Sequence, residues 1–362
     1  MGFNIYDFST FTHNIHVSLA ENFSPGLAVT IEWVIVGVAY LLFIALFGLF
    51  LVYAERKVCA FIQQRIGPNR VGPFGMLQTI ADFIKLLMKE LIMPRKADKF
   101  LYNLAPYIVI VASFLVISVI PFAPGLQSLD FDIGIFFFTA VSSIGVIGVL
   151  LAGWSSNNKY SLIGAMRSGA QIISYELSIA LSLMTIIILA GTMQFSGIIE
   201  AQRDAWFIFK GHIPALIAFV IFIVAGTAET NRGPFDLAEA ESELVAGFHT
   251  EYSGIKFAFF FLAEYINLFI ISAVAATVFL GGWMPLHFGD FQSFNHVMDL
   301  IPPIIWFFLK VGVVIFIIMW FKWTFPRLRV DQILTLEWKY LLPINLFNIL
   351  LMAFIVLTKL HF

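Results

Sequence analysis

The chain has 362 residues, of which 60% are hydrophobic and only 12% are charged, and its mean hydropathy is +0.91. This composition excludes an ordinary soluble domain and favours one membrane domain over 1–362, with its 41 phenylalanines suited to a lipid-facing surface. The formal net charge of −2 indicates no class of partner. The single cysteine, Cys59, excludes an internal disulfide and a cysteine-rich iron–sulfur or zinc site.

Apolar runs long enough to cross a bilayer, about 20 helical residues each, recur along the chain after a mixed segment at 1–29. That segment lacks the basic start of a signal peptide, so we expect the first apolar run to be retained. The sequence predicts an all-α integral membrane protein with about eight transmembrane helices. Their predicted bounds are 31–53, 101–122, 134–153, 169–190, 213–230, 255–281, 302–323 and 340–358.

Lysine and arginine lie almost entirely in the connections after the first, third, fifth and seventh predicted helices. The opposite side carries only Arg203, Lys210 and Lys359, and Lys310 falls inside the seventh helix. Because positive loops stay in the cytoplasm, this bias predicts structured cytoplasmic loops at 54–99, 154–168, 231–254 and 324–339. Residues 1–29 are then a non-cytoplasmic N-terminal segment.

The first of these loops contains a predicted amphipathic helix. Its apolar residues recur at helical spacing from Phe74 to Leu91, while Asp82, Lys85 and Lys89 share the other face. A helix lying at the membrane interface and a helix packed on a partner protein both fit this pattern. A second, weaker amphipathic piece at 194–211 lies on the opposite side.

Three charged residues fall inside predicted spans: Glu176, Glu264 and Lys310. They are explained either by an ion pair between spans, or by protonated acids bonded to Ser174, Ser178 or Tyr265. Because intramembrane charges are costly and usually functional, we favour a buried polar path that carries protons.

The stretch from Gly226 to Tyr265 concentrates acidic residues between two apolar segments. Clustered carboxylates raise one another's pKa, so several of them could titrate near neutral pH, as a proton relay requires. Asp236 and Glu239 are spaced as in a helix capping box, and this structural explanation stays open for Asp236. The acidic residues are Glu229, Asp236, Glu239, Glu241, Glu243, Glu251 and Glu264.

Ligands for a redox centre are missing from the sequence. The seven histidines make no pair with convincing metal or haem spacing, and no nucleotide-binding glycine motif is present. We therefore expect no flavin, haem or iron–sulfur cluster in this chain, no metal site, and no enzymatic activity without partners.

Four motifs give the chain a specific resemblance over roughly 30–360. It resembles the membrane subunit beside the quinone site of respiratory complex I, called the H subunit of NADH:quinone oxidoreductase in bacteria and NADH dehydrogenase subunit 1 in mitochondria. The motifs are AERKVCAFIQQRIGPNRVGPFGMLQTIADFIKLLMKE, GWSSNNKYSLIGAMRSGAQIISYE, ETNRGPFDLAEAESELVAGFHTEYSGIKFAFFFLAEY and PRLRVDQILTLEWKYLLP.

The resemblance implies eight transmembrane helices, a part in the quinone channel and coupling of quinone reduction to proton pumping. Lys322 departs from the family pattern, in which we expect arginine more often at this position. Lysine keeps the charge but lacks the planar guanidinium, which puts a bidentate contact there in doubt. The implied proton-relay residues are Glu176, Glu229, Glu239, Glu241, Glu243 and Glu264. The implied quinone-channel residues are Arg56, Arg65, Arg232 and Asp236.

The resemblance also implies partners. These are peripheral subunits that hold the last iron–sulfur cluster and dock at the cytoplasmic loops, neighbouring membrane subunits and the lipid bilayer, with no role for nucleic acid. The substrate is ubiquinone or menaquinone, and the location is the bacterial plasma membrane, with the mitochondrial inner membrane as alternative. Two other functions stay open: the membrane anchor of an energy-converting hydrogenase, and a proton-coupled transporter, although no internal repeat supports the latter.

Overall fold

The computed structural model describes residues 6–237, 244–287 and 291–358, and it is built from helices. Eight of these helices are long and apolar enough to cross a membrane, which confirms the predicted all-α membrane fold. We number them spans 1 to 8 in chain order: Pro25–Ile62, Lys99–Ile117, Gly134–Ser155, Lys159–Ala190, His212–Glu229, Gly254–Phe279, Pro303–Thr324 and Val330–Leu357.

Shorter helices occupy the connections. Ser9–Asn22 precedes span 1, and Gln78–Met88 lies within the predicted amphipathic stretch of the first loop. Phe195–Glu200 and Phe207–Lys210 fall in the second, weaker amphipathic piece, and Gln292–Asp299 precedes span 7.

The ends of several spans are set by local capping chemistry. The Asp98 side chain accepts hydrogen bonds from the backbone N–H groups of Phe100 and Leu101, and Asn158 accepts one from Tyr160. Both residues thereby satisfy donors that the first helical turn leaves free. Spans 1 and 7 begin with Pro25 and Pro303, where a missing N–H costs least.

Spans 1, 4 and 8 extend into three of the predicted loops. Span 1 continues to Ile62 and has 38 residues, so at a rise of about 1.5 Å it is longer than the ~30 Å hydrocarbon core. Span 4 begins at Lys159 and span 8 at Val330. The added segments are more polar than the apolar runs but contain no proline, so helical hydrogen bonding continues through them.

Span 6 lies at the centre of the bundle and is the most deeply buried of the eight. It packs against spans 1, 2, 5 and 7. Its side chains form much of the main apolar core, including Phe269, Ile271 and Phe279. Spans 1 and 8 are the least covered, so most of their apolar surface is left for lipid or partner subunits.

The helix Gln78–Met88 carries an uncovered apolar face. Ile80, Ile84, Leu87 and Met88 are all exposed. On its polar face, Asp82 accepts a 2.6 Å hydrogen bond from the Arg56 guanidinium of span 1. Partial burial by itself raises the pKa of Asp82, but this bond and the Arg56 charge outweigh it and hold the pKa below its usual value. The helix is therefore tied to span 1 by charge, with its apolar side outward.

Candidate ion cluster and cavity at the end of spans 1, 5, 6 and 7

A buried arginine is the centre of the candidate site. Arg232 follows the end of span 5 and its side chain is 0% exposed. Its Nη1 lies 2.5 Å from Glu55 Oε2 of span 1, and its Nη2 lies 3.3 Å from Glu264 Oε1 of span 6. The guanidinium also sits 4.5 Å from the ring centre of Tyr265, in the geometry of a cation–π contact.

Lysine 322 of span 7 completes the cluster. Its Nζ lies 2.6 Å from Glu55 Oε1, so Glu55 binds one cation on each oxygen. This is a single-point contact, as expected from an ammonium in place of a guanidinium. The two carboxylates and two cations balance in formal charge, which is the condition under which charges can be buried.

The electrostatics of Arg232 follow from this arrangement. Burial alone lowers the pKa of the guanidinium, but the carboxylates of Glu55 and Glu264 outweigh burial and raise that pKa above its ordinary value. Arg232 is therefore a permanent positive charge inside the bundle.

The loop that carries Arg232 is held by bonds to neighbouring elements. The Gln171 side-chain amide of span 4 donates to the carbonyls of Ala228 and Phe235, at 2.7 and 2.8 Å. From the other side, the Leu328 backbone N–H donates to the carbonyl of Pro234 at 3.0 Å. These bonds fix the position of the guanidinium between spans 1 and 6.

A cavity of about 70 Å³ lies beside the ion cluster. A single water needs roughly 10–15 Å³ on the same measure, so this space has room for several. Glu264 belongs to both features, because it contacts Arg232 and also lines the cavity. The other polar groups along its wall are Ser142, Glu229, Thr230, Asn231, His249 and Asn267.

Glu176 of span 4 is next to this cavity. Its carboxylate accepts a hydrogen bond from the Ser143 hydroxyl of span 3, and it is close enough to Glu229 to interact with it electrostatically. The sequence had suggested Ser174 or Ser178 as partners, but both lie on other faces of span 4. Glu229 and Glu264 thus line one cavity from spans 5 and 6, and Glu176 of span 4 interacts with Glu229 from beside it.

Histidine 249 closes the cavity on the loop side. Its ring packs against Phe248 and Phe257, and burial lowers the pKa of the imidazole to about 4. Tyr252, three residues on, stacks on Tyr102 with ring centres 4.2 Å apart, and burial raises its pKa to about 12. Both side chains are neutral at pH 7.

Comparison with known proteins identifies the family. A sequence profile described as NADH dehydrogenase matches residues 35–353. The chain belongs to the NADH dehydrogenase family. A Bacteroides fragilis protein named as the H subunit of NADH-quinone oxidoreductase is 62% identical over 358 residues, which cover 99% of this chain and all of that protein. Proteins named in the same way from Bacteroides thetaiotaomicron and Brevibacillus brevis are 61% and 49% identical, over 99% and 92% of this chain and 100% and 96% of theirs.

The family resemblance seen in the four motifs is thereby confirmed, whereas the roles of individual residues stay predictions. Arg56 is bound to Asp82, and Arg65 donates to Gln63 at 2.7 Å. Asp236 is paired with Arg327 at 2.8 Å. Three residues of the predicted relay, Glu239, Glu241 and Glu243, lie outside the described residues.

Lys310 does not join the acidic residues with which the sequence grouped it. Its ammonium donates to the carbonyls of Leu280, Gly282 and Met284, at 2.6, 3.0 and 2.6 Å. The Trp206 ring lies 4.3 Å from it. Within the described part of the chain Lys310 pairs with no carboxylate, so it secures the turn after span 6 at the opposite end of that helix from Glu264.

Glu55 is the member of the cluster that sequence analysis missed. The predicted end of span 1 at residue 53 assigns it to the first cytoplasmic loop, whereas the helix continues and Glu55 is buried. Glu55 lies seven residues on from Gly48 and therefore on the helix face that packs against span 6, a face that only the structure identifies.

Proposed function

We propose that this chain is the membrane subunit of a bacterial NADH-quinone oxidoreductase that lines part of the quinone-binding channel and couples quinone reduction to proton translocation. The observation that carries the proposal is the shared position of Glu264, which contacts buried Arg232 and lines the cavity with Glu229. The names of the relatives support a quinone reductase rather than a hydrogenase anchor.

The ion cluster is suited to sense a charge that appears on quinone. Two unit charges about 10 Å apart interact by ~1.7 kcal/mol at an effective dielectric of about 20, which is more than a tenfold change in a proton equilibrium. A negative charge arriving near Arg232 competes with Glu55 and Glu264 for the guanidinium. Weaker pairing of Glu264 favours proton uptake by its carboxyl.

The cavity then offers a route for that proton. Carboxyls of three spans line or adjoin it, and waters within it can bridge distances too long for a direct hydrogen bond. We propose Glu176, Glu229 and Glu264 as relay groups inside the bundle, and Glu239, Glu241 and Glu243 as their continuation toward the loop.

Quinone is proposed to enter along the outward apolar face of Gln78–Met88 and span 1. Arg56 and Arg65 then lie near the entrance, and Arg232 and Asp236 farther along the channel. The electron donor is an iron–sulfur cluster in a peripheral subunit that docks at the cytoplasmic loops, and the location is the plasma membrane.

Substitution of the relay carboxylates tests the proposal. Glu229→Gln and Glu241→Gln keep size and hydrogen-bonding capacity but cannot titrate. We expect quinone-dependent turnover and proton uptake in membrane vesicles to fall together. The loss should be below the ~10²–10⁴-fold typical of a sole acid–base group, because neighbouring carboxylates remain.

Glu32→Gln is the matched control. Glu32 lies near the start of span 1 and pairs with His16 on the surface, at 2.6 Å. We expect no change in this variant. NADH oxidation with an artificial acceptor that bypasses quinone verifies assembly of each complex. Normal proton uptake in both relay variants, or an equal loss in Glu32→Gln, would contradict the proposal.

A further inference from the structure

A second buried carboxylate, Glu337, lies in span 8 and is separate from the site described above. Its sequence position predicts a place in the cytoplasmic loop 324–339. In the structure it lies in a π-helical turn, Leu336–Leu341, inside the span, and it is 0% exposed. Single π-turns within α-helices are rare and occur frequently at functional sites.

The Glu337 carboxyl is only half satisfied. Its Oε1 accepts a 2.5 Å hydrogen bond from the Ser178 hydroxyl of span 4. Its Oε2 is buried, and no hydrogen-bond donor or cation among the described residues reaches it. An ionised carboxylate without a cation is too costly to bury in the interior of a membrane protein.

The titratable groups around Glu337 do not supply that cation. From span 4, Tyr175 faces it, but the Tyr175 hydroxyl donates to the Ile333 carbonyl at 3.0 Å. On span 8 itself, Asp331 and Lys339 are exposed.

Polar side chains continue from Glu337 along the contact between spans 4 and 8. The Ser182 hydroxyl lies 2.8 Å from the Ser178 carbonyl oxygen and 3.2 Å from Asn345 Oδ1, and the Asn345 side-chain amide donates to the Ser178 carbonyl at 3.2 Å. One turn farther, Asn348 donates to the carbonyl of Pro214, near the start of span 5. Glu337, Ser178, Ser182, Asn345 and Asn348 are all buried, and we call them the polar track.

The polar track lies on a different face of span 4 from Glu176. Residues two apart on a helix point about 200° apart, so Glu176 faces Ser143 of span 3 while Ser178 faces span 8. Over the 11 residues from Glu337 to Asn348 the track covers roughly 16 Å at 1.5 Å per residue. It runs toward the bundle end where span 5 begins, opposite Arg232.

We infer that Glu337 is a second proton-binding site in the interior of the helix bundle, and that the polar track connects it with the bundle end where span 5 begins. Serine and asparagine between helices commonly serve as packing contacts. Packing alone does not account for a buried carboxyl with an unbonded oxygen. A leucine would fill the same space at a lower cost in desolvation free energy. The role of Glu337 in turnover rests on the proposed function, whereas proton binding by its carboxyl does not.

The test uses the whole complex in liposomes with three substitutions at one position. Glu337→Gln and Glu337→Leu both remove the titratable group. Glutamine keeps a polar side chain, and leucine fills the space with an apolar one. If one variant fails to assemble, the other still tests the inference. Glu337→Asp restores a carboxyl. Glu200→Gln, at the exposed end of Phe195–Glu200, is the matched control.

We expect Glu337→Gln and Glu337→Leu to lose one protonated-carboxyl band from the infrared spectrum. Proton translocation should fall about tenfold, less than for a sole acid–base group because the other relay remains. NADH oxidation with an artificial acceptor should stay unchanged. Glu337→Asp should recover part of the translocation, and Glu200→Gln should match the unsubstituted complex.

An unchanged infrared spectrum together with normal translocation in an assembled Glu337→Gln or Glu337→Leu complex overturns the inference. The outcome is independent of Glu229→Gln. If Glu229→Gln has no effect while Glu337→Gln loses its band and its translocation, the relay through Glu229 fails and the Glu337 site stands.

Discussion

Burial of charge in this protein is compensated residue by residue. Arg232 and Glu55 are both almost inaccessible, and each has two partners of opposite charge. Removing one partner of such a pair typically costs about 3–5 kcal/mol, because the other charge stays buried. The positive charge of Lys310 is stabilised differently, because three backbone carbonyl groups accept its hydrogen bonds in place of carboxylates. Among the described residues Glu337 has no cation, and its hydrogen-bond partner is the Ser178 hydroxyl.

Histidine 249 supplies a pH-dependent prediction at the scale of one residue. Its pKa is lowered by burial to about 4, from an ordinary value of 6.5. The unfolded chain therefore binds a proton at a pH where the folded chain does not. The stabilisation is complete above pH 6.5 and is lost progressively as pH falls toward 4, with about 2 kcal/mol lost by pH 5.

We expect the thermal midpoint of the complex to fall between pH 7 and pH 5, and to fall less in His249→Gln. Differential scanning fluorimetry at the two pH values measures both. His13→Gln is the control, because His13 is exposed near the N-terminus and should leave the pH dependence unaltered. The same pH dependence in His249→Gln as in the unsubstituted chain would assign the effect to other groups.

At the scale of helices, small residues decide how closely spans approach. Gly153 near the end of span 3 lies against the start of span 4. A methyl group added to Gly153 would collide with the Ala165 side chain and would lie 2.7 Å from the Ser161 carbonyl oxygen. This close approach fixes the packing of the end of span 3 against the start of span 4.

Gly153→Ala should therefore destabilise the protein by roughly 1–3 kcal/mol, the usual cost of overpacking. Gly312→Ala in span 7 is a matched control, since nothing in the described chain lies within 4 Å of its added methyl group. We expect Gly312→Ala to be neutral or stabilising by up to about 1 kcal/mol, because alanine is the better helix former. Thermal midpoints of the two variants give the comparison, and equal midpoints would contradict it.

At the scale of the whole molecule, the distribution of lysine and arginine predicts one orientation. Most of these residues lie in or next to the loops after spans 1, 3, 5 and 7, and the ion cluster lies at the same end of the bundle. If they face the cytoplasm, then the proposed quinone chemistry and the proposed docking of peripheral subunits are on that side. Lys310 and the end of the polar track then lie toward the outside.

Cysteine labelling of intact cells tests that orientation, and the only native cysteine, Cys59, is buried. Thr12→Cys should react with a membrane-impermeant maleimide, whereas Lys85→Cys and Asn157→Cys should react only after the membrane is opened. All three positions are exposed. The reverse pattern would invert the topology.

The sequence by itself determined the number of spans, the family and the concentration of acidic residues. Each of these rests on local features: an apolar run of about 20 residues must be helical in a bilayer, and charged loops do not cross it readily. Glu176, Glu229 and Glu264 were recognised for the same reason, since a carboxylate within or beside an apolar run is conspicuous wherever the chain later places it.

Only the tertiary structure decided which charges meet. Glu55 and Arg232 are 177 positions apart, and Glu337 and Ser178 are 159 apart. Their contacts depend on which helix faces pack together, and hydropathy does not encode this. The helix ends are equally important. Polar residues continue spans 1 and 8 beyond their apolar runs, so Glu55 and Glu337, which the sequence assigns to loops, are buried in the fold. Burial is a property of neighbours, and for these two residues the neighbours come from distant parts of the chain.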